Sequence, residues 1–71
     1  MSSAIEHDLS ELAREIAQRQ QLIEDQLALI EVLERDGHDV GEQEMALQKE
    51  RSRLALQIAR QFELLQKRLP T

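Results

Sequence analysis

Two groups of side chains in this 71-residue sequence could carry chemistry. The first lies in "LERDGHDVGEQE", residues 33 to 44, which holds both glycines of the chain, His38, and five carboxylates. Asp36, His38, Asp39 and Glu42 together offer imidazole and carboxylate ligands for a metal ion or a proton site. The second group is His7 with Asp8 and Glu11. His7 and Glu11 stand four apart, one helical turn, so they share a face and could hold a metal if another chain added ligands.

Neither group follows a pattern specific to its chemistry. A calcium loop alternates acids around a glycine at its sixth place, and residues 36 to 42 do not. No second histidine lies near either cluster. Ser2, Ser3, Ser10 and Ser52 have no glycine elbow and no histidine–acid partner at a recognisable spacing. There is no glycine-rich loop for phosphate. Histidine phosphotransfer needs a histidine exposed in mid-helix, whereas His7 is near a terminus and His38 is in a turn. The residues give no catalytic centre, no metal site and no cofactor site, and the chain reads as a non-enzyme.

Turn chemistry accounts for most of the first group. Gly37 sits where a helix must end, at a position that favours positive φ. Asp39 fits as the N-cap of a following helix, with Glu42 three residues on. His38 is left over, its ring able to fold back toward Leu33. Gly41 is an odd residue for a first helical turn.

The flanking segments are helical by period. Ile5, Leu9, Leu12, Ile16, Ile23, Ile30 and Leu33 recur at spacings of three, four and seven, predicting a helix over about 3–36. Ser3 with Glu6 reads as its capping box. Val40, Leu47, Leu54, Ile58, Phe62, Leu65 and Leu69 form the stripe of a second helix over about 40–69, which Pro70 stops. Glu15 with Arg19, Glu31 with Arg35 and Glu63 with Lys67 are acid-before-base pairs four apart. Each helix makes a rod on the order of 45–50 Å long. Such a rod cannot bury its own stripe, and the short turn at 37–39 predicts an antiparallel helical hairpin, an all-α fold in one domain.

The stripes are wider than one partner helix requires. With Leu9, Ile16, Ile23 and Ile30 at the a positions, Leu22 and Leu29 flank the seam on one side and Ala13 and Leu27 on the other. In the second helix Leu56 and Leu64, with Ala55 and Ala59, read as lying off the seam. A second neighbour is therefore expected: two hairpins forming a dimeric four-helix bundle, with Leu22, Leu27, Leu29, Leu56, Phe62 and Leu65 as interface candidates. Arg19 and Gln26 fall at d positions, with Arg51 and Gln61 near the opposite seam. In the register that sets Leu12 by Leu65, Gln26 approaches Arg51. They form either a buried polar layer or side chains that reach the bundle's edge; the cost of burying an arginine favours the edge.

Composition narrows the partners. The net charge is −5, which disfavours non-specific DNA binding. Residues 1–36 hold nine acids and three bases, while residues 37–71 hold five acids and six bases. This asymmetry predicts that the basic end of the second helix lies against the acidic start of the first. No apolar run approaches the roughly 20 residues of a membrane span, and the start lacks the basic and apolar regions of a signal peptide. The chain has no cysteine, which fits a cytoplasmic protein and excludes a disulfide framework.

At "LERDGHDVGEQEMALQKE" the sequence resembles a group of short, uncharacterised proteobacterial proteins. In these a helix runs into an Asp-Gly-His-Asp or Asp-Gly-Arg-Asp turn and then an acidic amphipathic helix. The match rests on Leu33, Asp36, Gly37, His38 and Asp39. Val40 and Gly41 stand where that group carries Thr or Ser and a helix former. The resemblance implies a helical hairpin and transfers no catalytic residue. In architecture the chain is also similar to plasmid RNA-binding hairpin dimers and to small hairpin co-chaperones of bacterial secretion systems. Two functions follow as expectations. One is a self-associating hairpin that engages a partner protein. The alternative is a structured-RNA binder using Lys49, Arg53, Arg60 and Lys67.

Overall fold

A computed structural model of the chain describes residues 2–68, with side chains from Ala4 onward. Helix α1 (Ser2–Arg35) packs along helix α2 (Gly41–Arg68), and no strand occurs among the described residues. The inner helix ends, Arg35 and Gly41, fall within one residue of the expected 36 and 40, while the outer ends border residues outside the description. The Ser3 side chain of the expected capping box lies outside the described residues, as do Leu69 and the Pro70 stop.

The hairpin is a rod of 55 × 15 × 13 Å. Its radius of gyration is 16.4 Å, against about 11 Å for a compact domain of this length. The shape follows from the sequence: no glycine or proline interrupts either helix interior, so both run their full length before turning.

The turn closes α1 with a full Schellman motif. Gly37 takes φ +83°, its N–H donates to the Glu34 carbonyl at 3.0 Å, and the His38 N–H donates to the Leu33 carbonyl at 2.9 Å. These bonds satisfy two of the carbonyls that every helix C-terminus leaves open. Asp39 caps α2 as expected, its Oδ1 accepting from the Gly41 N–H at 3.0 Å. The box expected with Glu42 does not form: the Asp39 oxygen meets the Gly41 N–H and not that of Glu42, and Glu42 makes no return bond to the Asp39 N–H.

The seam of α1 runs Ile5, Leu9, Leu12, Ile16, Arg19, Ile23, Gln26, Ile30, Leu33, in alternating steps of four and three. The facing seam starts at Val40, just before α2, and runs through Gln43, Leu47, Glu50, Leu54, Gln57, Gln61 and Leu64 of α2, with Ala46 half-buried beside it. Both are heptad seams of the kind that pack two helices nearly parallel to each other. The α2 seam corrects the sequence reading at its C-terminal half. Leu64 is in the core at 5% exposure, while Phe62 stands outside it at 62%, as do Ile58 and Leu65. Leu12 accordingly packs with Leu64, not Leu65. The reason is the strict 3.5 period. Continued from Leu47 and Leu54 it lands on Gln61 and Leu64, although the sequence offers more apolar mass at 58, 62 and 65.

Candidate functional site: the polar layer and the exposed flanks

The core is divided in two. Leu9, Leu12, Ile16 and Leu64 form one cluster, and Ile23, Ile30, Val40 and Leu47 the other. Leu54 touches both. Between them lies a polar layer. Arg19 reaches across from α1, its Nε donating to Gln57 Oε1 at 2.8 Å and its Nη1 to Glu50 Oε2. Glu50 also takes a bond from Arg53 at 3.3 Å on its own helix. The side chains of Arg19 and Glu50 keep only 24% and 13% of their exposure. A charge pair this far from water needs its hydrogen bonds, and here the guanidinium meets an amide oxygen and a carboxylate together. The layer is thus a cross-helix network, not a side chain reaching the edge. Arg19 does not pair with Glu15, the neighbour four residues before it.

Gln26 behaves differently. Its Oε1 is buried and accepts no hydrogen bond, and Arg51 is exposed, so the expected Gln26–Arg51 approach does not form.

The two halves of the charge asymmetry do meet. Arg68 bridges Glu6 at 3.1 Å, and Arg60 shares a cleft with Asp8, Glu11 and Glu15. Arg60 bridges Glu63 at 3.2 Å, taking the acid that sequence spacing gave to Lys67, while Arg35 bridges Glu31 at 3.3 Å as spaced. Of the four basic residues read as an RNA face, Arg53 and Arg60 therefore carry carboxylate partners within their own helix.

Of the two histidine groups, His7 Nε2 lies 3.6 Å from Glu11 Oε1, both side chains well exposed. His38 is exposed in the turn and engaged only through its backbone. About thirty helical residues at 1.5 Å each set the two histidines roughly 45 Å apart. Among the described residues no three His, Asp or Glu side chains converge to hold a metal ion, and no helix is long and apolar enough to cross a membrane.

The remaining features are the flanks. Counted from the seam, Ala13 and Leu27 of α1 face the same side as Ile58 and Leu65 of α2, with Ala17, Ala55 and Phe62 one row further out. Leu22 and Leu29 face the other side with Ala46, and Val32 and Leu56 lie beyond them. A groove of about 760 Å³ on the first flank is lined by Leu27, Met45, Gln48 and Arg51. One of about 220 Å³ on the second is lined by Gln26, Leu29 and Ala46. The six interface candidates are all exposed, but they divide: Leu27, Phe62 and Leu65 on one flank, Leu22, Leu29 and Leu56 on the other. Sequence reasoning missed Glu50 and Gln57, whose polarity disguised their seam positions. Their spacing of three and four from Leu47 and Leu54 was the available signal. Comparison with known protein families, curated proteins and solved structures finds no match.

Proposed function

We propose that this hairpin is a non-enzymatic interaction module. It pairs with a second copy to form a four-helix bundle and presents a remaining helical face to a partner protein. The observation that carries the reading is the thinness of the core. Among the described residues no side chain is fully buried, and the eight core residues keep 5–9% exposure. Nine large apolar side chains stand exposed around them, more than scattered surface leucines explain.

Area supports the same reading. The chain exposes 5578 Å². A compact monomer of its mass exposes about 4,500 Å². The excess, about 1,100 Å², exceeds the roughly 800 Å² that each partner buries in a standard stable interface.

Helical circular dichroism on heating tests self-association. If folding and pairing are linked, the midpoint rises with protein concentration by mass action. A midpoint independent of concentration over a hundredfold range, about two decades in the mass-action term, contradicts the dimer.

A further inference from the structure

We propose that two copies join through the flank bearing Ile58, Phe62 and Leu65, side by side and pointing the same way, about a two-fold axis along the rod. This rests on the self-association proposed above and specifies its face and direction. The occupant of the flank is thus a second copy of this chain.

Size and charge on the flank favour the arrangement. The Arg19–Gln57 and Glu6–Arg68 contacts set the level of each residue along the rod. At the level of Ile58 and Phe62, α1 presents only Ser10, Ala13 and Ala17. A two-fold along the rod lays α1 of each copy on α2 of the other at equal height. The protruding Phe62, 62% exposed, then enters the low surface over Ala13 of the second copy, and Ile58 follows over Ala17. Pairing the rods in opposite directions instead lays α2 on α2 and α1 on α1. With the ends of the rod exchanged, Ile58, Phe62 and Leu65 fall level with Arg51, Gln48 and Glu44 of the second copy, so apolar bulk meets polar side chains.

Charge points the same way. The α1 side of this flank carries Glu6, Glu24, Glu31 and Glu34 and no base. Laid on itself it repels. Its α2 side carries Arg51, exposed and without an ion pair among the described residues, which falls level with Gln20 and Glu24. Equal-height docking brings Arg51 to Glu24 of the second copy. Glu44, the one acid of the α2 side, lies by the turn at the open end of the rod, where solvent screens it. The opposite flank is less suited to a copy: its terminal half carries Asp8, Glu15, Arg60 and Lys67 and no large apolar side chain, and Leu22, Leu29, Val32 and Leu56 lie from mid-rod to the turn.

The chain has no cysteine, so His38→Cys places a single spin label at the exposed turn without touching the seam. Same-direction pairing puts the two labels about two interhelix spacings apart, roughly 20 Å, in a dipolar distance measurement. Opposite pairing puts them about 50 Å apart. A short distance supports the proposal, and a long one overturns it while leaving self-association standing. No distance and a single-chain mass overturn both. Phe62→Glu and Leu29→Glu then test the face. Both are solvent-exposed positions, and helicity confirms that each variant folds. Phe62→Glu is expected to abolish the dipolar signal and Leu29→Glu to preserve it; the reverse pattern overturns the choice of flank.

Discussion

Arg19 joins the two helices at mid-rod through Glu50 and Gln57, so its removal exposes how the layer acts. Arg19→Ala leaves a carboxylate at 13% exposure with only Arg53 beside it, and is expected to cost about 1–3 kcal/mol in urea unfolding. The double variant Arg19→Leu/Glu50→Leu removes both charges together and is expected to recover that loss or exceed wild-type stability. A double variant as weak as the single one contradicts the layer as a matched pair. Gln26→Leu removes a buried oxygen with no partner and is expected to stabilise by about 1 kcal/mol. Gly37→Ala is expected to destabilise by about 1–2 kcal/mol, since φ is +83°. No atom lies within 4 Å of the added Cβ, so this loss is conformational and not steric. A neutral Gly37→Ala in the same assay contradicts the Schellman turn. The turn was legible from residue types alone, because Gly at C′ and Asp at the cap have few other uses. Arg19's partners were not legible, because nothing in a single sequence fixes which way a long side chain crosses the seam.

At the scale of elements, the two helices differed in how openly they showed their seam. In α1, seven of the nine seam positions are Ile or Leu, so its inward face was legible from spacing alone. In α2, Gln43, Glu50, Gln57 and Gln61 occupy half of the eight. In a two-helix rod every seam side chain is close to an edge, so polarity does not mark the outward face as it does in a thick core. The apolar residues at 58, 62 and 65 then drew the reading outward by part of a turn. Alanine substitution separates the two faces. Leu64→Ala is expected to cost about 2–3 kcal/mol, toward the low end for core leucines because the rod is thin. Leu56→Ala, on the exposed side of the same helix, should change stability by less than about 0.5 kcal/mol. Equal losses at 56 and 64 contradict the seam as placed.

For the whole molecule, a rod 55 Å long with no fully buried side chain among the described residues has a thin core. Chains of this size often gain stability by oligomerising, and this one carries apolar side chains on both flanks of its seam. The terminal half of one flank carries Ile58, Phe62 and Leu65, and the turn half of the other carries Leu29 and Val32. One can therefore close on a second copy while Leu22, Leu29 and Val32 stay open to a different protein. The helical hairpin was legible from periodicity and one glycine. The division of the flanks was not, because it depends on the seam register of α2. Sedimentation equilibrium at micromolar concentration decides whether the hairpin pairs with a second copy. A paired hairpin gives twice the 8.2 kDa chain mass, with no folded single-chain species at the concentrated end. A fully helical protein sedimenting at 8.2 kDa throughout would contradict it.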